Sequence, residues 1–474
     1  MIDIKRRAIT SLIASYISQF GASAINFGIK IALARLLLPT EWGVYAEAML
    51  VILVADTFTD IGLSQHLMRE KNRPYGNVLL IRFILSVIAF LLIQAFAGIF
   101  AFLSPEVVEP LRVLSPLIML RAVASIPRIY MDRELIVYRS LIPQFVSLIA
   151  MGIVSLVLAA KGFGVYALIF GSLVQELVWC VLLWVSVVRI LPVQLTLQHT
   201  WRLIYGSRYL FMIAVIGFVL QQGDIAITGT LLSSDQVGLY AMAYTIIALT
   251  SKMVETAIYR VVYPLFCQYA DDLRTLGRIY VTTTLAMVAI EAPIYFFLLF
   301  NSGFFVSNLL GDKWMPMAHL LAGLAVAGII NPYTTFGIEV LRATKRDKML
   351  TVASLTGAVS LVFFGAILTS RYGAIGMVVA NYFIFGSVVT IIALLRVIPQ
   401  HIKELTRKLA AVYSVSLLAA ALPYFTLADK GVLQNVVSIG AVLLSWLVFY
   451  RYYGVPLIRE TLGSLERPAE PGVA

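Results

Sequence analysis

"ARLLLPTEWGVYAEA" runs from Ala34 to Ala48, and "TGTLLSSDQVGLYAMA" runs from Thr228 to Ala243. Gly43 answers Gly238, Tyr45 answers Tyr240, and Ala46 and Ala48 answer Ala241 and Ala243. Each stretch lies between two apolar runs, so each reads as the link between consecutive hydrophobic helices. A link written twice in the same form points to an internal duplication. Locally, the glycine suits a tight reversal after a helix end, and the tyrosine two residues on suits the membrane interface, its hydroxyl meeting headgroups.

The composition says what surrounds those helices. The chain has 474 residues, of which 60% are hydrophobic and 13% charged. A soluble domain of this length carries about 25% charged residues. Mean hydropathy is +0.91. Apolar runs long enough to span a bilayer recur from Ile9 to Tyr450. Their limits fall near 9–35, 41–64, 77–103, 110–128, 141–160, 163–187, 208–232, 236–262, 279–302, 314–338, 350–370, 373–395, 405–427 and 432–450. The expected fold is therefore an all-α polytopic membrane protein with about fourteen transmembrane helices.

Alternate connections are rich in Lys and Arg: Lys5, Arg6 and Arg7 before the first span, Arg69, Lys71 and Arg73 after the second, Arg342, Lys345, Arg346 and Lys348 after the tenth. The other side holds only Arg35, Arg112, Lys161, Lys313, Arg371 and Lys430. The basic side is the cytoplasmic one, which puts both termini inside. The net charge of +11 then serves topology and contact with anionic headgroups, and no nucleic-acid partner is expected. "MIDIKRR" resembles a signal-peptide start, but the apolar run continues past Phe27 without a cleavage site and reads as an uncleaved first helix.

Six spans separate the two links, so both halves share one orientation. "MDRELIVYRSL" (131–141) and "VLRATKRDKML" (340–350) match at an offset of 209, setting Arg133 on Arg342 and Arg139 on Lys348. At that offset "FGVYAL" (163–168) meets "YGAIGM" (372–377), setting Gly164 on Gly373. The expected organisation is two pseudo-symmetric six-helix lobes, 1–207 and 208–403, followed by 404–474 with two additional spans and a cytoplasmic tail. Chance similarity among apolar helices is the plainer alternative.

No phosphate-binding loop occurs, and His66, His199, His319 and His401 are scattered, so no metal or other cofactor is expected. Cys180 and Cys267 read as unpaired thiols. "YADD" (269–272) reads as a solvated loop, since no nucleotide-binding domain accompanies it. The connections "MDRELIVYR", "RILPVQLTLQHTWR" and "VIPQHIKELTRK" suit short amphipathic helices on the inner surface. Pro127, Pro293, Pro316 and Pro332 mark bending points or static kinks.

Three stretches together, "ARLLLPTEWGVYA", "DIGLSQHLMRE" (60–70) and "QQGDIAITGTLLSSDQVGLYAMA" (221–243), resemble the polysaccharide-transporter branch of the MOP exporter superfamily, the Wzx-type O-antigen and exopolysaccharide flippases. The resemblance covers the chain in length and span number. It implies a two-lobed flippase of the bacterial cytoplasmic membrane that carries an undecaprenyl-pyrophosphate-linked oligosaccharide to the outer leaflet by alternating access. Implied partners are that lipid, the surrounding membrane lipids, and the polymerase and glycosyltransferases of the same pathway. A cation-coupled multidrug exporter of the same superfamily is the alternative. A membrane-embedded polymerase or ligase is the alternative of another class, and the short outer connections speak against it.

Transport chemistry should show as ionisable residues within spans, each costing about 2.5–3.5 kcal/mol at mid-bilayer unless paired or wet. A pyrophosphate head needs cations, and an Arg fork holds two phosphate oxygens at once. Arg121, Lys30, Arg35 and Lys252 are the candidate substrate-binding residues. Snorkelling to headgroups competes for Lys30, Arg35 and Arg82, and an ion pair with Glu176 or another acid competes for Arg121. Glu176, Glu291, Asp224 and Asp56 are the candidate ion-coupling carboxylates. Asp56 and Asp60 share one helix face, as do Lys252 and Glu255, which read equally as an internal ion pair. Asp224 also falls in the family's motif.

Overall fold

The computed structural model describes residues 20–69, 74–134, 136–191, 200–330, 332–427, 432–449 and 451–452. Among them are helices and turns and no strand. Helix α1 covers 20–36. It is followed by α2 (Pro39–Asp60), α3 (Leu63–Arg69), α4 (Tyr75–Phe96), α5 (Val108–Leu114), α6 (Pro116–Arg133), α7 (Leu141–Ala160), α8 (Val165–Val187) and α9 (Thr200–Leu231). Then come α10 (Ser234–Gln268), α11 (Leu273–Leu309), α12 (Ala318–Ile330), α13 (Pro332–Ala343) and α14 (Asp347–Tyr372). The last are α15 (Ala374–Ala380), α16 (Phe385–Val397), α17 (Pro399–Thr426) and α18 (Val432–Phe449).

Ten of the described helical stretches are long and apolar enough to cross a membrane. The expected first, fourth, eighth and fourteenth spans are also helical but lie outside that set. In α6 the reason is composition, since it carries Arg121, Arg128, Asp132 and Arg133, and the described parts of α1 and α18 are short. The outward faces identify the solvent. On α7, Ile142, Val146, Ile149, Ile153 and Val157 recur at helical spacing and are all exposed. Such a stripe is stable only against hydrocarbon, because in water each side chain would forfeit about 1.5–3 kcal/mol of burial. The protein is a multi-pass membrane protein.

The chain forms two compact units. The first comprises Met1–Met242, Leu309–Trp314 and Gly365–Met377; the second comprises Ala243–Asn308, Met315–Phe364 and Val378–Ala474. One core of the first unit joins Ala48, Val51 and Ile52 of α2 to Leu111 and Leu114 of α5, Ile118 of α6 and Ile169 of α8. The core of the second is built around α11, with Tyr280, Leu285 and Ala292 against Phe336 of α13, Leu394 of α16 and Leu405 of α17.

Two of the repeated stretches carry matched local geometry. Gly164, just before α8, and Gly373, just before α15, both hold left-handed backbone, at φ +56 and +63. A side chain would strain either position. A Cβ on Gly164 would lie 2.6 Å from Glu41 Oε1, and one on Gly373 would lie 3.7 Å from Gln236 Oε1. Glu41 and Gln236 are themselves equivalent positions of the opening repeat.

The turn glycines have a different role from the one expected. Gly43 and Gly238 lie inside the first turns of α2 and α10, and neither has positive φ. They touch each other. A Cβ on Gly43 would fall 1.6 Å from the Ser234 carbonyl oxygen, and one on Gly238 would fall 1.9 Å from that of Pro39. The repeat keeps glycine there because two helix backbones cross in contact. Their tyrosines turn inward: Tyr240 donates its hydroxyl to Asp224 Oδ2 (3.0 Å), and Tyr45 pairs with Ser172 Oγ (2.7 Å). A buried acceptor holds a phenol more firmly than a wet headgroup.

Other local expectations change as well. "VIPQHIKELTRK" continues into α17 without a break, and "MDRELIVYR" spans the end of α6 and a single 3-10 turn at Val137–Ser140. Most of "RILPVQLTLQHTWR" lies outside the described residues. Helix α11 stays regular at Pro293 and bends at Asn301 (φ −119), whose side-chain amide donates to the Phe297 carbonyl at 3.3 Å. "YADD" supplies an N-cap: Asp272 Oδ1 accepts the N–H groups of Arg274 (3.1 Å) and Thr275 (3.2 Å) at the start of α11. Cys180 is a buried free thiol and Cys267 an exposed one.

Candidate functional site

Four helices of the first unit bring charged side chains together. Arg82 on α4 is clamped by both acids of α2: Nη2 lies 3.1 Å from Asp56 Oδ1, and Nη1 lies 3.1 Å from Asp60 Oδ1. Nη1 also donates to Ser64 Oγ (2.9 Å), and Ser64 Oγ donates to Asp60 (2.5 Å). The shared face of Asp56 and Asp60 thus serves a cation from a neighbouring helix, and Arg82 is committed inward instead of snorkelling. Its side chain is 6% exposed.

Arg121 on α6 is held more loosely. Its Nε stands 3.8 Å from Glu176 Oε2 on α8, and Nη2 stands 3.9 Å from the Met49 thioether. The first contact is an ion pair without a hydrogen bond, and sulfur is a weak acceptor. The Arg121 side chain is one-quarter exposed, and among the described residues its two contacts leave most of its five donors unspent. Asp56 and Arg128 also act electrostatically on Glu176. Three arginines (82, 121 and 128) and three carboxylates (56, 60 and 176) therefore form one charge-balanced set, which is how ionisable groups are tolerated at this depth.

Asp224 on α9 is 4% exposed and spends its oxygens on the Tyr240 hydroxyl and the Ile225 N–H (2.8 Å). It ties α9 to the first turns of α10. One turn beyond Gly43, Glu47 is wholly buried and accepts hydrogen bonds from Ser104 Oγ (2.6 Å) and Ser234 Oγ (3.3 Å). That junction was not singled out from sequence. The available signal was an acid one turn past a repeated glycine.

Lys30 lies part-buried on α1. Arg35, at the end of α1, donates through Nε to the Leu309 carbonyl (3.0 Å), the last of α11. In return Lys313 Nζ donates to the Arg35 carbonyl (2.9 Å) and Trp314 Nε1 to that of Ala34 (2.8 Å). Two helix C-termini thus satisfy each other's orphan carbonyls, with cations at both negative dipole ends.

In the second unit, Lys252 on α10 is exposed, and among the described residues it makes no ion pair with Glu255. Glu255 instead accepts a hydrogen bond from Thr335 Oγ1 (3.4 Å) and acts on Glu291, which is 6% exposed on α11. No group of three or more His, Cys, Asp or Glu side chains suited to a metal occurs among the described residues.

Residues 32–319 match the family model described as "Polysaccharide biosynthesis protein". The succinoglycan biosynthesis transport protein ExoT of Rhizobium meliloti (strain 1021) is 24% identical over 370 residues, covering 76% of this chain and 73% of ExoT. Among solved structures, the lipid II flippase MurJ in an inward closed conformation superposes with a TM-score of 0.75 at 14% identity, covering 95% of this chain and all of that one. An inward-facing multidrug resistance MATE family transporter of the MOP superfamily gives a TM-score of 0.57 at 15% identity, over 85% of this chain and 99% of that one. The chain belongs to the polysaccharide biosynthesis protein family and has the fold of the MOP superfamily transporters.

Proposed function

We propose that this transporter is a flippase that moves an undecaprenyl-pyrophosphate-linked oligosaccharide from the inner to the outer leaflet of a bacterial cytoplasmic membrane. The observation that carries the reading is Arg121, a partly accessible guanidinium among transmembrane helices whose ion pair with Glu176 is stretched to 3.8 Å. A pyrophosphate oxygen offers Arg121 a short, charge-assisted bond in place of that long one. Glu176, once released, needs a proton or another cation to remain at its depth, which links substrate capture to an ion. Lys30, Arg35 and Lys252 are secondary phosphate contacts, and Glu291, Asp224 and Asp56 further coupling groups. Fourteen spans, both termini in the cytoplasm and two lobes at 1–207 and 208–403 complete the proposal.

ExoT, named as a transport protein of succinoglycan biosynthesis, and MurJ, named as a lipid II flippase, support the substrate class by analogy. The test is gene deletion with complementation by Arg121→Ala and Arg121→Lys. The expected result is lipid-linked repeat units accumulating on the cytoplasmic face, with no rescue by the alanine form at normal protein level. Rescue by both variants would remove Arg121 from the substrate path. Repeat units still reaching the outer face, with only drug tolerance altered, would favour the exporter.

A further inference from the structure

The first turns of α9 present two faces of opposite character. On one face Leu203, Ser207 and Leu210 are buried, each about a helical turn after the last. Gly206 lets α3 come close, since a Cβ there would fall 2.8 Å from His66 Cε1. Gly62, just before α3, meets the α9 backbone in the same way: its Cβ would fall 2.8 Å from the Phe211 nitrogen. This end of α9 is therefore braced against its own unit.

The opposite face is exposed and carries Tyr205, Arg208, Tyr209 and Met212 at helical spacing. The Arg208 Cζ stands 3.9 Å from the centre of the Tyr205 ring and 4.7 Å from that of Tyr209. Its Nη2 donates to the Tyr209 hydroxyl at 3.2 Å. Among the described residues this guanidinium pairs with no carboxylate, whereas those of Arg82, Arg112, Arg121 and Arg342 do. Stacking occupies the flat face of a guanidinium and leaves its edge donors for a ligand.

Depth decides which ligand. Tyr205 opens an apolar stretch, Tyr205–Leu231, that is long enough to cross a membrane. The cluster thus lies at the level of lipid headgroups, where tyrosines gather. One turn deeper, Met212 and Ile213 continue the exposed face as hydrocarbon. A cation with spare donors beside an exposed apolar stripe matches an amphiphile, its phosphate on the arginine and its chains on the stripe. An acidic protein segment would satisfy the arginine and leave the stripe unused.

We propose that Tyr205, Arg208 and Tyr209 form a binding site for the headgroup of one anionic phospholipid, whose acyl chains lie along Met212 and Ile213. By the topology proposed above, that lipid belongs to the inner leaflet. The site shares no residue with the Arg121 cluster.

The experiment uses the full-length protein purified in neutral detergent, without any lipid-linked sugar, titrated with phosphatidylglycerol or phosphatidylcholine. Native mass spectrometry counts the lipids held per chain, and melting reads the stabilisation. One tightly held phosphatidylglycerol per chain is expected, with a higher melting temperature, and no equivalent with phosphatidylcholine. Arg208→Ala should weaken this binding more than about tenfold. Arg208→Lys keeps the charge without the fork and should bind between the two. Tyr205→Ala should also weaken binding. Arg396→Ala removes an exposed arginine that has no ring contact among the described residues, and should bind like wild type. Should Arg208→Ala fail to fold, Arg208→Lys and Tyr205→Ala decide the matter. The proposal is overturned if wild type does not prefer phosphatidylglycerol, if Arg208→Ala binds it like wild type, or if Arg396→Ala loses as much. Displacement of the lipid by inorganic phosphate or by a polyglutamate peptide would also overturn it, because charge alone would then suffice. Failure here leaves the flippase reading standing, since no transported sugar enters the assay; failure to flip lipid-linked sugar leaves the binding result standing.

Discussion

Replacing Gly43 by Ala adds one methyl group at the point where α2 crosses α10. That methyl would sit 1.6 Å from the Ser234 carbonyl oxygen, 2.5 Å from its carbon and 3.0 Å from the Gly238 nitrogen. Ordinary contact begins near 3.4 Å, so the helices must part by about 1.8 Å. All three obstacles are main-chain atoms, and no flexible side chain can yield instead. Overpacking typically costs about 1–3 kcal/mol, and a backbone obstacle places this case at the upper end. Parting the helices also stretches the 3.3 Å contact of Ser234 with Glu47, and a weakened hydrogen bond to a buried charge adds about 1 kcal/mol. Together Gly43→Ala should destabilise by about 4 kcal/mol. Gly28→Ala is the matched control: it makes the same chemical change inside α1, with nothing within 4 Å of the new methyl. There, helix propensity alone acts, and a gain of up to about 1 kcal/mol is expected. Melting of both variants in detergent, followed by tryptophan fluorescence, should give shifts of opposite sign. If Gly43→Ala melts at or above wild type, the two repeat glycines are not in contact and the account of why the turn is written twice is wrong.

Tyr240→Phe removes the donor to buried Asp224 and should cost about 2 kcal/mol in the same melt, with Asp224→Asn costing less because its amide oxygen can keep the Ile225 N–H while the Tyr240 hydroxyl turns to accept from the amide NH2; equal stability of Tyr240→Phe and wild type would contradict the bond. The Thr275 hydroxyl and N–H hold the Asp272 carboxyl below its ordinary value of 3.8. A depressed folded value means the cap contributes above the unfolded pKa and is lost as pH falls through the folded one. Below about pH 3.8 the melting difference between wild type and Asp272→Ala should therefore shrink; a constant difference would exclude the carboxylate as its source. Cys267 is exposed and Cys180 buried, so a membrane-impermeant maleimide should label only Cys267, and only in inside-out vesicles. Labelling of intact spheroplasts would reverse the proposed topology.

The membrane class was readable from the sequence because the solvent leaves its mark on outward residues: the apolar run at 141–160 is the α7 whose exposed face is Ile142, Val146, Ile149, Ile153 and Val157. The repeated glycines were readable because a backbone crossing and two left-handed turns each tolerate only glycine, so Gly43, Gly238, Gly164 and Gly373 stand out as landmarks. What the pattern withholds is who meets whom. That Gly43 and Gly238 face each other depends on contacts between residues 195 apart. Arg82 looked fit to snorkel, and only the approach of α4 to α2 turns it between Asp56 and Asp60. Lys252 and Glu255 had the spacing of an ion pair, yet Glu255 turns toward Thr335 and acts on Glu291. Helical spacing fixes a shared face, and tertiary packing decides which neighbour that face addresses. The bend at Asn301 was hidden for a related reason. An amide that bonds the carbonyl one turn back competes with the helix without the conspicuous signature of proline.

The joint between the ends of α1 and α11 has a consequence for how such chains diverge. Arg35, Lys313 and Trp314 all grip main-chain oxygens, and every amino acid carries one of those. Leu309 and Ala34, which only receive, can drift to other residues without loosening the grip, while the three donors Arg35, Lys313 and Trp314 cannot. The two halves of this fastening therefore leave no paired substitutions behind, and a search for correlated positions across relatives would pass over one of the firmer long-range ties in the molecule.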